Sequence, residues 1–303
     1  MKEGLRRKGI YFLPFKFKMV YWADIVFDKP LDEKEANPES PYHFKEKYLP
    51  HKYEKKREWT YVRKKVLDVV EWQLDKIFLN KDLSINYSGI SDKIIKKYFR
   101  ELNMYYMEDF VDAKGKKRKA KEAFREPLTK CLKAKRRSNI FLIGHSMGSI
   151  IAYDVMTICT PRIPIDTFVT IGSALGLPVV MGKNAAERKL AGGTQSKLTT
   201  PESVKNHWYN FSDLEDTISA NYDLNDDYAP NSKGVAPVDF QINNDYEIDG
   251  EENPHKSYGY LRTPEFAEKL YEFLMTDRSW FYKTSIKILN NFLAALHLKK
   301  STI

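Results

Sequence analysis

The chain has 303 residues, 42% of them hydrophobic, and a formal net charge of +9. This composition is sufficient to bury a large core, whereas two cysteines are too few for a disulfide framework. The sequence contains neither an apolar window of about 18 residues, as a membrane span requires, nor a signal peptide. We therefore expect a single domain over residues 1–303, located in the cytoplasm. The positive charge indicates either an acidic partner surface or simply lysines spread over the predicted helices, and we favour the second explanation.

The first part of the chain predicts one strand and then a long, mainly helical excursion. Aromatic residues alternate with lysine in FKFKMVYW, which predicts a strand over Phe15–Trp22. Prolines among charged residues at 28–52 indicate a surface segment, which opens the excursion over about 28–137. Apolar residues at helical spacing within it predict helices at about Tyr53–Leu79 and Ser91–Phe99.

Lysine and arginine cluster in residues 114–137, around a further helical segment. Such a cluster is typical either of a patch that binds nucleic acid or anionic lipid, or of the solvated face of a helix. Nucleic-acid binding surfaces commonly interleave aromatic residues with the basic ones, and that interleaving is absent here. We therefore favour the solvated helix face and expect no nucleic acid as a partner.

One stretch, Ser138–Thr160, combines a strand, a tight turn and a helix. Its first part contains the apolar run Ile140–Ile143, which predicts a central strand of a parallel sheet. Its second part has apolar residues at helical spacing, namely Ile150, Ile151, Val155 and Ile158. Ser146 lies between these parts, at a strand-to-helix turn.

The turn has the pattern G-x-S-x-G, formed by Gly144, His145, Ser146, Met147 and Gly148. In a nucleophile elbow this pattern holds the serine in a strained conformation, and the two glycines let strand and helix pass without clashes between Cβ atoms. The serine hydroxyl then projects at the carboxyl edge of the sheet, where the N–H of Met147 can stabilise an oxyanion. The alternative is an ordinary tight turn that holds a structural serine.

Later strands complete the predicted sheet. Residues Asp166–Ile171, Asn206–Ser212 and Pro237–Ile242 have the pattern of strands, and a helix is predicted from about Pro264. The polar residues 183–202 predict a mobile loop or a cap. Strands that alternate with helices predict a three-layer α/β fold, in which helices cover both faces of a mostly parallel sheet.

Two other loops resemble ligand-binding motifs but lack residues that those motifs need. Residues 176–183 differ by one residue from the glycine spacing of a phosphate-binding loop, and Asn184 stands where Ser or Thr is required. The acidic run Asp223–Asp227 resembles the start of a calcium loop, but the required glycine and glutamate do not follow it. We therefore expect no cofactor and no metal.

An acid and a base follow the serine in the chain order of a catalytic triad. The acidic run Asp213–Ser219 directly follows a predicted strand, and His255 lies in a loop after the last one. A serine hydroxyl becomes a good nucleophile when an imidazole accepts its proton, and a carboxylate then orients and stabilises that imidazole. The other histidines lie in predicted strands or helices, adjoin the serine or precede it, so His255 is the predicted base. A solvated loop histidine is the alternative.

These motifs resemble those of the α/β-hydrolase superfamily. The segments LIGHSMGSIIAYDV, VYWAD, HWYNFSDLEDTIS and NPHKSYGYL are similar to a poorly characterised bacterial branch of it, which is distantly similar to serine lipases and esterases. The resemblance covers about Val20–Leu274 and implies an α/β-hydrolase fold with serine esterase activity. In such proteins the second Asp of an N-x-x-D-x-x-D pattern is usually the triad acid, which implies Asp216, with Asp213 as the alternative.

The resemblance also implies an early strand and an oxyanion loop. Family members usually begin with a strand that ends in a His-Gly oxyanion loop, whereas Met1–Gly4 resembles the helix after that loop. We therefore expect the N-terminal strand and the loop to be missing and the esterase activity to be weak. Gly9–Pro14 is an alternative source of a strand and a donor, although Pro14 has no N–H.

The sequence therefore predicts a serine esterase with the triad Ser146, Asp216 and His255, acting on a small-molecule or lipid ester through an acyl-enzyme. Two other classes stay open. One is a catalytically impaired hydrolase-fold protein that binds an acyl or lipid ligand, and the other is a membrane-surface or scaffold protein.

An amphipathic helix is predicted at about 279–298. Its apolar stripe consists of Tyr282, Ile286, Leu289, Leu293 and Leu296, opposite Lys283, Lys287, Asn290 and His297. We expect this helix to pack on the domain, and the alternative is peripheral membrane contact through the stripe. The sequence predicts no particular oligomeric state.

Overall fold

The computed structural model describes residues 1–22, 25, 32, 34–35, 37, 47–51, 100–106, 109–112, 114–190, 198–216, 218 and 222–301. The helices predicted at about 53–79 and 91–99 lie outside these residues. The chain divides into two compact units. The sheet unit comprises residues 20–48 and 57–241, and the terminal unit comprises residues 1–19, 49–56 and 242–303. The single-domain organisation stays a prediction.

The described elements alternate between helix and strand along much of the chain. In chain order they are α1 (Lys2–Arg7), α2 (Arg100–Tyr106), β1 (Asp109–Val111), β2 (Lys117–Lys119), α3 (Ala120–Lys135), β3 (Phe141–His145), α4 (Met147–Asp154), β4 (Ile165–Ile171), α5 (Pro178–Leu190), β5 (Leu198–Thr199), β6 (Val204–Ser212), β7 (Tyr228–Ala229), β8 (Pro237–Gln241), β9 (Glu247–Ile248), β10 (Glu251–Glu252), α6 (Ser257–Tyr260), α7 (Pro264–Met275) and α8 (Trp280–Ser301). A π-helical turn over Val155–Cys159 extends α4.

Among the described residues, the sheet unit is built around a parallel sheet of four strands in the spatial order β3, β4, β6 and β8. Parallel neighbours need long crossover connections, and helices α4 and α5 lie within two of these connections. The strands predicted at 166–171, 206–212 and 237–242 are present as β4, β6 and β8. The protein is therefore an α/β protein whose mostly parallel central sheet is flanked by helices.

Strand β3 ends at the turn that contains Ser146, and it is the first strand of the sheet. Within the described part of the chain its only hydrogen-bonded neighbour is β4. Phe141, Leu142 and Ile143 are accordingly half-buried, whereas β4 is buried along most of its length. The prediction of a central strand stays a prediction. An apolar run indicates that both faces of a strand are covered, but it does not indicate how many strands are hydrogen-bonded to its two edges.

The helix after Ser146 changes geometry at its carboxyl end. Helix α4 passes into the π-helical turn, in which each turn takes in more residues than in an α-helix. Side chains beyond that point rotate away from the apolar stripe. Ile158 is consequently 51% exposed, although its spacing predicted a buried position.

A buried polar cluster anchors the carboxyl end of α4. The Asp154 carboxylate accepts a hydrogen bond from the Arg125 guanidinium at 2.6 Å and another from the Tyr105 hydroxyl. Burial raises the pKa of Tyr105, and the nearby Asp154 carboxylate raises it further. All three side chains are largely removed from solvent. The cluster therefore connects α4 to helices α2 and α3. Its buried carboxylate and guanidinium are paired with each other, so neither charge is buried without a partner.

Two segments of the sheet unit differ from their predicted structure. Residues 183–190, predicted as part of a polar loop, belong to helix α5, because one side of this helix is buried through Val180, Met181 and Ala185. In the basic region 114–137, Lys117–Lys119 pairs with Asp109–Val111 as an antiparallel hairpin before α3 begins. Local polarity alone did not indicate either tertiary contact.

The terminal unit is mainly helical. Helix α1 packs against α7, which begins as predicted at Pro264, where Thr263 Oγ1 accepts a hydrogen bond from the N–H of Phe266 at 3.3 Å. The predicted C-terminal helix is present as α8. The predicted strand over Phe15–Trp22 is wrong, because these residues pair with no strand in the described part of the chain. Alternating aromatic residues satisfy the strand pattern, but a strand also needs a neighbour to accept its hydrogen bonds.

Candidate functional site

The backbone of Ser146 has a conformation that L-residues seldom adopt. Its φ is 52° and its ψ is −128°, at the junction between β3 and α4. This region is populated mainly by glycine, and holding another residue there costs roughly 1–3 kcal/mol. The chain order of strand, serine and helix was predicted from G-x-S-x-G, and the strained conformation was predicted with it.

The hydroxyl of Ser146 has no structural role in the turn. Ser146 occupies the N-cap position of α4, where a serine oxygen normally accepts a hydrogen bond from the helix backbone. Here the side chain makes no cap hydrogen bond, and the residue is half-buried. A serine kept only for the turn is expected to cap the helix. This observation therefore favours the nucleophile elbow over a structural serine.

Two further serines hold the turn in place. The N–H of Ser149 at 3.0 Å and its Oγ at 2.6 Å both donate to the carbonyl of Ser146. Ser173 Oγ donates to Ser149 Oγ at 2.9 Å, and the N–H of Leu175 donates to Ser173 Oγ at 3.1 Å. Sequence reasoning did not identify Ser149 or Ser173. A serine three residues after the nucleophile was the available signal for Ser149, whereas the contact with Ser173 is long-range.

The two glycines of the pattern differ in their steric roles. A Cβ atom on Gly144 would lie 2.7 Å from the Cα atom of Ser149, which is too close for any side chain. A Cβ atom on Gly148 would meet no described atom within 4 Å. The predicted close passage of strand and helix therefore requires Gly144 but not Gly148. Gly148 leaves open space above the first turn of α4.

Two backbone donors lie directly after Ser146. The first N–H groups of a helix have no partner within it, and here the described residues supply an acceptor for Ser149, namely the Ser146 carbonyl. The described residues supply none for Met147 or Gly148. These N–H groups also lie at the positive end of the helix dipole. The elbow is therefore able to stabilise negative charge close to the Ser146 hydroxyl.

The candidate carboxylates lie at the same edge of the sheet as Ser146. The N–H of Ser146 donates to the carbonyl of Ile171 at the end of β4, and Asp213 directly follows the end of β6. Strands β3 and β6 are two spacings apart, which is roughly 10 Å. Asp213 and Asp216 are both buried, and each carboxylate accepts a hydrogen bond from a backbone N–H two residues later. The structure brings both acids to this edge, and the assignment of Asp216 stays a prediction.

His255 belongs to the terminal unit. The side chain of Asn244 holds the loop of this histidine by two hydrogen bonds, which together form a clamp. The Nδ2 atom of Asn244 donates to the carbonyls of Pro254 at 2.7 Å and Lys256 at 2.9 Å, on either side of the histidine. A Cβ atom on Gly259 would lie 1.5 Å from Asn244 Oδ1, so only glycine leaves room for this amide. Sequence reasoning missed Asn244, because no local pattern links it to a loop ten residues away.

A different histidine of the terminal unit is already paired with a carboxylate. The Nδ1 atom of His51 contacts Asp245, and the other oxygen of Asp245 accepts a hydrogen bond from Arg262 Nε at 2.6 Å. The N–H of His51 also donates to Glu3 at 2.7 Å. These contacts tie together parts of the terminal unit that are far apart in sequence. We therefore assign His51 a structural role.

A cavity of about 540 Å³ is lined by Asn206–Trp208 of β6, by the first residues of β8 and by the loops next to them. Its wall includes Trp208, four residues before the end of β6. Burial raises the pKa of the Asp239 carboxyl in this wall to about 6. Both oxygens of Asp239 nevertheless accept hydrogen bonds from Asn210 at 2.8 Å and from the N–H groups of Leu224 and Asn225 at 3.0 Å. Asp239 therefore anchors a loop and is not a second catalytic candidate.

The described part of the chain offers no metal cluster and no membrane-spanning helix. Among the described residues, no three His, Cys, Asp or Glu side chains are grouped so that they could hold a metal ion. In the same part of the chain, no helix has the length and apolar character that crossing a bilayer requires. Comparison of the chain with protein-family models, with curated proteins and with solved structures gave no match.

Proposed function

We propose that this protein is a serine hydrolase that cleaves a carboxylic ester through an acyl-enzyme. The observation that carries the proposal is the uncapped hydroxyl of Ser146 on a residue strained to a φ of 52° at a strand-to-helix turn. Strain of this kind persists only where the surrounding structure maintains it, and it is common at functional sites. The contact of Gly144 with Ser149 and the bonds from Ser149 maintain it here.

The proposed mechanism assigns one role to each residue. Ser146 Oγ attacks the ester carbonyl while His255 accepts its proton, and the N–H of Met147 binds the oxyanion that forms. Collapse of this intermediate expels the alcohol, which takes the proton from His255 and leaves an acylated serine. Water then repeats the sequence and releases the acid. Asp216 orients the imidazole and stabilises its protonated form, with Asp213 as the alternative acid.

The proposal includes an arrangement of the α/β-hydrolase type. The parallel order of β3, β4, β6 and β8 supports it, since it brings the serine and both candidate acids to the carboxyl edge of one sheet. The open space at Gly148 and the adjacent N–H groups suit an acyl group and its oxyanion. An impaired hydrolase-fold protein that binds an acyl ligand is the competing proposal, because it needs the same pocket without turnover.

Labelling by a fluorophosphonate probe tests the proposal. Such probes phosphonylate a serine only when it is activated, so we expect the starting protein to be labelled and Ser146→Ala to show no labelling. Ser138→Ala is the matched control, because this serine is exposed and precedes β3. It should keep full labelling. A starting protein that fails to react with the probe would contradict the proposed activity, and labelling that persists in Ser146→Ala would contradict the assigned nucleophile.

A second prediction concerns Asn244 as a positioning residue for His255. Asn244→Asp removes the amide that donates to Pro254 and Lys256, so the loop loses both clamps and gains a buried charge. A misplacement of about 1 Å can cost roughly 10² in rate, so we expect kcat to fall by about that factor. KM should change less, because the substrate need not contact Asn244. Steady-state kinetics on a p-nitrophenyl ester measure both parameters.

A second variant distinguishes the loss of the two hydrogen bonds from Asn244 from the effect of the added negative charge. Gly259→Ala keeps the amide but forces it out of position, and it should lower kcat in the same direction. Asn291→Asp is the control, because Asn291 is exposed on α8. Unchanged kcat in both Asn244→Asp and Gly259→Ala would show that the clamp does not position the base.

A further inference from the structure

Helix α8 has one buried face and one exposed apolar face. Ile286 and Asn290 are buried, and the Asn290 side chain both accepts from the N–H of Phe12 at 2.7 Å and donates to its carbonyl at 2.9 Å. Asn290 was predicted on the polar side of the helix, and this backbone contact explains why it is buried instead. Leu289 and Leu296, predicted in the buried stripe, are exposed. The helix is therefore anchored along a face that differs from the predicted one.

The exposed face is a continuous apolar stripe. It consists of Phe281, Ile288, Leu289, Phe292 and Leu296, which follow the spacing i, i+7, i+8, i+11 and i+15. At about 100° per residue these positions span roughly 100° of the helix surface. Phe281, Ile288 and Phe292 are 75%, 64% and 61% exposed. Such a stripe is unusual on a protein surface without a partner, since apolar groups gain free energy when they leave water.

The charge of this segment distinguishes between possible partners. Residues 278–303 contain five basic residues and no Asp or Glu, so they supply five of the nine net positive charges of the chain. Lys283 and Lys287 are exposed on the polar side of the helix, away from the stripe. Self-association through this helix would place two segments of like charge together. An anionic surface that also accepts apolar side chains complements both properties.

We propose that α8 binds an anionic lipid bilayer, lying in the plane of the membrane with its apolar stripe inserted at the level of the headgroups. Exposed aromatic and aliphatic residues on one face, together with basic residues on the polar face, are the features by which interfacial helices bind. Trp280, exposed at the start of the helix, suits the boundary between headgroups and acyl chains. The anchored face stays bound to the rest of the terminal unit through Asn290. The bilayer can therefore bind the exposed face while the hydrogen bonds between Asn290 and the backbone of Phe12 remain intact.

Flotation of the full chain with lipid vesicles tests this binding. We expect the protein to float with vesicles that contain phosphatidylglycerol and to float much less with phosphatidylcholine alone, and high salt should reduce the binding. The triple variant Phe281→Ser, Ile288→Ser, Phe292→Ser should lower the ratio of bound to free protein by at least about 100-fold. The double variant Lys283→Gln, Lys287→Gln should lower it less, by about 3-fold, because both lysines lie on the side of the helix away from the stripe and their attraction to the headgroups falls with distance.

A matched control uses exposed apolar residues of the sheet unit. The triple variant Val111→Ser, Ile158→Ser, Leu190→Ser removes a similar apolar area and should float like the starting protein. Circular dichroism checks that each variant keeps its helices. Absence of flotation, or flotation that the α8 triple variant does not reduce, would overturn the proposal. So would a dimer of the starting protein that the α8 triple variant converts to monomer in size-exclusion chromatography, because the stripe would then bind a second copy. Ser146→Ala should float normally, so this test is independent of the proposed hydrolase activity.

Discussion

Replacing His255 by Ala is expected to lower kcat for a p-nitrophenyl ester by roughly 10⁶, as removal of the base does in other serine hydrolases. The proton of Ser146 then has no acceptor, so attack on the ester must proceed from an unactivated hydroxyl. The fold should change little, because His255 is half-buried and the clamp on its loop comes from Asn244 and not from the imidazole. Steady-state kinetics measure the rate, and chemical denaturation measures the free energy of unfolding.

His51→Ala is the matched control for this prediction. It removes an imidazole that contacts the carboxylate of Asp245 within the terminal unit. We expect the free energy of unfolding to fall by about 1–3 kcal/mol, since Asp245 is nearly buried and loses one partner. Turnover should stay near its starting value. If His51→Ala abolished turnover and His255→Ala did not, the base would be His51 and the predicted triad would be wrong.

Replacing Asp216 by Asn is expected to lower kcat by roughly 10⁴. The amide is nearly isosteric with the carboxylate, but it stabilises the wrong tautomer of the imidazole and no longer balances its positive charge. Asp216 is buried and its Oδ1 accepts the N–H of Ile218 at 2.9 Å, a contact that the amide oxygen can preserve. The loss should therefore appear in turnover much more than in stability.

Asp213→Asn provides the comparison, because Asp213 is equally buried at the same sheet edge and makes an equivalent bond to the N–H of Glu215 at 2.8 Å. We expect a smaller loss of kcat for this variant. Both are assayed on one ester, with circular dichroism as the test of folding. A collapse of turnover confined to Asp213→Asn would reverse the assignment of the acid.

Much of the sheet unit was predictable because its signals are local. The strands β4, β6 and β8 were predicted within a few residues. Their signals are apolar runs and the turn residues that bound them, and these signals lie in or next to each strand in the sequence. The spatial order of the strands was not predictable, because it depends on which strands pair. The same reason explains Phe15–Trp22, where the alternation of a strand is present but no described strand pairs with it.

By itself, the sequence determined the elbow of this protein, since G-x-S-x-G and the strand and helix around it act within a few residues of Ser146. Tertiary structure decided what holds and surrounds the elbow. The support of Ser149 by Ser173 joins residues 24 positions apart, and the burial of Asn290 depends on the backbone of Phe12, 278 positions away. Such contacts leave no local pattern, because their energy comes from groups that only folding brings together.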